Sequence, residues 1–200
     1  MARDSVVLTA VFDMPAVKAE LMLRYRMNAV GELAVTEKMT TDKEVKVADL
    51  FRFGMVLDMP AAFSKLEYYG RGPVENYIDR KSSAFLGKYE SNVKDEYYPY
   101  VRPQESGNHT DIRYFSVINP TIGKGLTFDG YPVEDLDAGD VKEHAWGQHS
   151  GDLVDRDLTQ VHIQQRQYGL GCIDSWMSKP MEKYRMHYQD REFRFVIKAK

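Results

Sequence analysis

Two hundred residues, 43% of them apolar and 28% charged, carry enough hydrophobic material for one sizeable core and exclude general disorder. The formal net charge of −3, from 27 basic and 30 acidic side chains, lacks the concentrated positive face that phosphate binding needs, so nucleic acid is not an expected partner. Cys172 is the only cysteine, which excludes an intrachain disulfide and a four-cysteine zinc site, and no apolar run approaches the roughly 20 residues of a membrane helix.

In chain order, residues 5–12 read as a strand. Within residues 18–27, Leu21, Leu23, Tyr25 and Met27 fall on alternate positions with Arg24 and Arg26 between them. That period of two predicts a strand with one apolar face and its arginines in water. Turn residues at 28–31 and a return over 32–40 make a hairpin. Residues 45–57 suit a further strand, with Gly54 marking a bulge or a close approach. Residues 65–69 form a short aromatic strand, expected to end at Gly70-Arg71-Gly72-Pro73, because two glycines and a proline break regular structure.

Residues 75–83 suit a helical turn behind Pro73, and residues 89–103 a long loop, a length that in compact domains points to function or an interface. Strands follow over residues 111–118, 126–131, 159–168, 183–188 and 192–199, with Gln189-Asp190 as a tight turn. Between them, Leu136, Val141 and Ala145 recur at loosely helical spacing within residues 135–146. The last strand alternates charge with Phe193, Phe195 and Ile197, a wet face rather than a basic patch. Residues 1–200 therefore read as a single all-β domain of sandwich type.

Glycoside hydrolysis needs two carboxyl groups across one glycosidic bond. Glu67, Glu75, Asp79, Glu105, Asp111 and Asp174 sit beside aromatics or turns, but Asp79 beside Arg80 reads as a local ion pair or cap, and Asp174 as a turn acceptor. His109, His144, His149, His162 and His187 form no H-E-x-x-H arrangement and read as surface or satisfied histidines, so no metal or other cofactor is expected. Asn108-His109-Thr110 fits a glycosylation sequon. The segment from Arg102 to Asn108 concentrates Arg102, Gln104, Glu105 and Asn108 between Pro103 and Gly107, close to Tyr97, Tyr98 and Tyr100. These groups either bond sugar hydroxyls beside flat aromatic faces or tie a long loop to the sheet.

Three motifs share an origin. The run Tyr69-Gly70-Arg71-Gly72-Pro73-Val74-Glu75-Asn76-Tyr77-Ile78-Asp79-Arg80 resembles the G-x-G-P-x-E-N-Y-x-D-R signature of β-galactosidase small-chain domains. Tyr100-Val101-Arg102-Pro103-Gln104-Glu105-Ser106-Gly107 resembles their Y-V-x-P-Q-E-N-G segment, with Ser106 where Asn is usual. Gly169-Leu170-Gly171-Cys172-Ile173-Asp174-Ser175-Trp176 resembles their closing segment, with Cys172 and Ile173 as departures.

The resemblance spans roughly Leu66 to Trp176. It implies the C-terminal domain of a family-two glycoside hydrolase, a galactose-mutarotase-like β-supersandwich without catalytic glutamates of its own. Those glutamates belong to an upstream (β/α)₈ barrel, the implied partner, and the substrate is a β-galactoside. No R-A-P-x-D-N-D opening segment is present, so the chain is expected to be truncated at its N-terminal side. Some family members place a site tryptophan where ungapped counting puts Gln160; a shifted register would bring His162 or Arg166 there. The implied carbohydrate-binding set is Arg102, Gln104, Glu105, Asn108, Gln160 and His162. The alternatives are a free-standing carbohydrate-binding module and an aldose mutarotase.

Overall fold

A computed structural model describes residues 4–101, 106–130, 133–139 (backbone course only), 156–171, 174 and 178–200. The chain order is β1 (Ser5–Met14), β2 (Ala19–Asn28), β3 (Leu33–Thr41), β4 (Arg52–Pro60), β5 (Lys65–Gly72) and β6 (Phe85–Asn92). Then follow β7 (Asn108–Ile112), β8 (Tyr114–Asn119), β9 (Lys124–Gly130), β10 (Val133–Gly139), β11 (Leu158–Gln167) and β12 (Arg191–Ala199). An eight-stranded sheet runs β1-β2-β3-β12-β9-β8-β5-β6, and a four-stranded sheet runs β4-β11-β10-β7. The described ladders are antiparallel, and the all-β sandwich expected from the sequence is what forms.

Alternation builds the core between the two layers. Thr159, Val161 and Ile163 on β11, with Phe53 and Met59 on β4, point inward from the small sheet. Leu66, Tyr68, Phe115, Val117, Phe128, Phe193 and Phe195 meet them from the large one. Phe115 and Phe128 are directly paired across β8 and β9 and stack with ring centroids 4.4 Å apart. Fully burying such a side chain contributes about 1.5–3 kcal/mol.

Several expectations are corrected. The strand at residues 65–69 does not stop at the glycines; β5 continues through Gly72. Gly70 lets it pass β7 closely, since a Cβ there would lie 2.3 Å from Ile112 Cδ1. No helical turn forms over residues 75–83: Tyr77 and Arg80 exchange backbone bonds in a tight turn, and Asn76 N–H bonds the Asn108 carbonyl instead. The loop predicted over 89–103 begins later, because β6 and a 3₁₀ turn, Val93–Glu96, occupy its first part. The run 111–118 is split between two sheets at Arg113, two residues after Asp111, whose φ is 56°.

The helix expected over 135–146 is contradicted where it is described, since residues 135–139 belong to β10, laddered between β7 and β11; residues 140–155 lie outside the described residues. The strand expected over 45–57 starts only at Arg52, and residues 183–188 form no strand. There the backbone serves two loops: Leu50 N–H bonds Met186 O, and Gly169 N–H bonds Tyr184 O. Asp49 fixes the same junction by accepting from Arg185 Nε at 2.7 Å and lying 2.9 Å from His187 Nδ1. Of the two alternatives at Gly54, the close approach holds, since a Cβ there would lie 2.2 Å from Ile163 O; the bulge sits on the partner strand, where the β11 register shifts between Gln164 and Arg166.

Candidate functional site

The outer face of the small sheet is polar. Register rows place Asn108 on β7 opposite Asp137 on β10, Asp137 opposite His162 on β11, and His162 opposite Val56 on β4. Opposed residues share a face, so Asn108 and His162 lie on one row two strands apart, about 10 Å. Gln160 lies two residues from His162 along β11 and therefore shares that face. The structure thus brings together three of the residues singled out from sequence.

These side chains are wired in one sense. Arg52 Nη1 donates to His162 Nδ1 at 2.8 Å, His162 Nε2 donates to Gln160 Oε1 at 2.9 Å, and Gln160 Nε2 donates to Asp58 Oδ1 at 2.9 Å. The guanidinium can only donate, so Nδ1 accepts and the ring donates through Nε2 to the amide oxygen. Chained donors and acceptors of one sense polarise each other. Arg52 and Asp58 are exposed, and Gln160 and His162 half-buried, so the row meets solvent. Towards β7 the face closes over: Gln167 Nε2 donates to Asn108 Oδ1 at 3.1 Å, and both residues are buried.

The signature turn closes that end. Asn76, fully buried, donates through Nδ2 to the carbonyls of Arg71 and Val74, and its Oδ1 accepts from Thr110 N at 3.0 Å and Thr110 Oγ1 at 2.6 Å. Asn108 Nδ2 returns a bond of 2.7 Å to Asn76 O. The sequon asparagine is therefore buried and engaged.

Two loops are rooted by the same turn. Glu75 accepts from Tyr100 Oη, from Arg80 Nη2 at 2.6 Å and from Gly107 N at 3.0 Å. It thereby holds both flanks of the segment containing Arg102, Gln104 and Glu105, which themselves lie outside the described residues. Gly107 has φ 83°, and a Cβ there would lie 2.7 Å from Glu96 O, so only glycine fits. Asp79 does not pair with Arg80 as expected; it accepts from Leu170 N at 3.1 Å and Gly171 N at 2.9 Å, rooting the third motif.

A buried relay braces the near end of the first loop: Ser91 Oγ donates to Glu96, whose other oxygen lies 2.7 Å from His109 Nε2, and His109 Nδ1 lies 3.1 Å from Tyr68 Oη. Burial, then the nearby Glu96 charge, pushes the Tyr68 phenol up from its ordinary value.

The remaining carboxylates are engaged too. Hydrogen bonds from Lys200 and Lys65 hold Glu67 below the usual carboxylate range. Burial pushes Asp111 up, but the Arg71 and Lys81 hydrogen bonds outweigh it and leave the group low. Asp174 accepts from Ser178 Oγ. Among the described residues, no group of three His, Cys, Asp or Glu is placed to hold a metal ion, and no helix is long and apolar enough to cross a membrane.

With these positions established, comparison with known proteins decides the family. The beta galactosidase small chain family matches residues 2–197, well beyond the stretch where its motifs are legible. This chain belongs to that family. It is 32% identical over 193 residues to a beta-galactosidase of Priestia megaterium (strain DSM 319 / IMG 1521), covering 95% of this chain and 18% of the relative. Against a beta-galactosidase of Lactobacillus delbrueckii subsp. bulgaricus the identity is 31% over 205 residues, covering 97% and 19%. One from Streptococcus thermophilus is 30% identical over 177 residues, covering 86% and 17%. The chain thus spans less than a fifth of the length of these curated relatives.

Sequence reasoning missed Arg52, Asp58, Gln164 and Gln167 on this face. The signal was available for one of them: Gln160, His162 and Gln164 recur at every second position between Val161 and Ile163, a polar outer face on an apolar strand. Arg52 and Asp58 come from β4 and join only through pairing. Arg166, the other residue considered for the tryptophan's place, donates to the Lys183 carbonyl and belongs to the loop junction.

Proposed function

We propose that this chain is the non-catalytic accessory part of a beta-galactosidase that hydrolyses terminal β-D-galactosides, and that it forms one wall of the carbohydrate site. The supporting observation is the one-way chain Arg52–His162–Gln160–Asp58 on a half-open sheet face. Sugar hydroxyls each donate and accept, and a row that alternates both roles in a fixed order matches them without reorganisation. The face is flanked by loops whose roots are locked by Glu75 and Asp79. Four of the acids first weighed for catalysis, Glu67, Glu75, Asp79 and Asp111, are instead bonded to cations or backbone amides, a poor start for the facing acid pair that glycoside hydrolysis requires. Bond cleavage is accordingly assigned to glutamates in the rest of the parent enzyme.

The test is a replacement. The chain is exchanged for the matched segment of the Priestia megaterium enzyme, and hydrolysis of nitrophenyl β-galactoside is measured for the chimera and for the 200 residues alone. The expected result is turnover by the chimera and none by the isolated chain. Turnover by the isolated chain, free of contaminating enzyme, contradicts the accessory role.

A further inference from the structure

The two edges of the eight-stranded sheet are built differently. β6 carries Gly87, Lys88 and Glu90, the charged and irregular features with which edge strands discourage pairing. β1 has ten residues, Ser-Val-Val-Leu-Thr-Ala-Val-Phe-Asp-Met, with no lysine, arginine or proline. Val6, Val7, Leu8, Val11 and Phe12 expose 46–75% of their surface. They occupy both faces: Leu8 and Phe12 stand opposite Tyr25 and Leu21, while Val7 and Val11 stand opposite Arg26 and Met22. A strand apolar on both sides has the pattern of one buried on both sides. It is far more apolar than an exposed edge tolerates.

We propose that the edge of β1, unpaired among the described residues, docks an extended, alternately apolar strand of the parent beta-galactosidase, from the more than four-fifths of the relatives that this chain does not match and whose adjoining residues cover both faces of β1. This rests on the parent-enzyme reading above. A second copy of the chain is the weaker fit. Two β1 edges paired about a twofold axis satisfy each other's backbone groups, yet bring no layer onto either face. A strand within a larger body supplies the ladder and the cover together.

Hydrogen exchange on the same chimera tests this. The outward-pointing amides of β1 are expected to exchange at least about tenfold more slowly in the chimera than in the isolated chain, with β6 unchanged. In the chimera, Val7→Lys with Val11→Lys should remove that protection and lower turnover about tenfold or more, whereas Phe85→Lys on β6 should do neither. The isolated double variant should melt within a few degrees of the parent chain, which separates lost docking from lost folding. A chimera that hydrolyses galactoside while its β1 amides exchange as in the isolated chain overturns the docking and leaves the parent-enzyme reading standing. An inactive chimera with unprotected β1 overturns both. Concentration-dependent protection of β1 in the isolated chain, with a dimer mass, overturns the docking in favour of self-association.

Discussion

The turn at residues 73–80 and the outer row of β4 and β11 are both polar, and their hydrogen bonds go to different places. In the turn, Glu75, Asn76 and Asp79 each reach backbone amides or carbonyls of other segments. In the row, Arg52, His162, Gln160 and Asp58 bond one another, side chain to side chain, at a surface open to water. A buried bond to the main chain fixes where the chain runs. A bond between side chains that reach water can be exchanged for one to a ligand at little net loss. The most distinctive motif is therefore scaffolding, and the less distinctive alternation is the surface proposed to meet sugar.

The sharpest way to break this contrast is Asn76→Ala. It removes four side-chain bonds in a fully buried setting and leaves partners unsatisfied. A loss of about 3–5 kcal/mol is expected in denaturant unfolding. A loss below about 1 kcal/mol would mean the turn is not the brace described.

A buried carboxyl without such partners gives the next effect. Glu37, 2% exposed on β3, has an oxygen with no hydrogen-bond partner, and burial pushes its pKa up to about 7. The folded value lies above the unfolded one, so its protonated form favours folding at low pH. That contribution is complete below about pH 4.5 and is lost as pH rises through 7, about 3 kcal/mol in all. Glu37→Gln should flatten the dependence of stability on pH between 5 and 8, and an unchanged slope would remove Glu37 as its source.

Glu75→Gln comes third. It weakens the charge-assisted bonds to Arg80 and Tyr100 at a partly exposed position, costing about 1–2 kcal/mol. Limited proteolysis should cut faster within residues 97–107. Cleavage at the parent rate would show that Glu75 does not root the loop.

How far the sequence carried depends on which physical signal each region used. β2, β3 and β12 were legible because one apolar face alternates with charge, as at Leu21–Tyr25 and Phe193–Ile197. β6 and β10 were not, because Gly87, Asn92, Asp135 and Gly139 are poor strand formers held by pairing to neighbours. The supposed helix at 75–83 failed because Asn76 and Asp79 spend their polar atoms on distant backbone, a tertiary competition that no local pattern reveals. On the candidate face, Asn108, Gln160 and His162 were singled out from sequence, but Arg52 and Asp58 needed the register of β4 against β11.

The most direct measurement is the turnover of the chimera carrying Gln160→Ala with His162→Ala, read beside its thermal midpoint. The half-open row predicts a midpoint within about 2 °C of the parent chimera and a rise of about tenfold in KM for the galactoside. An unchanged KM, or a fall in midpoint as large as that of Asn76→Ala, would place these residues with the scaffold and contradict their role as a sugar-facing wall.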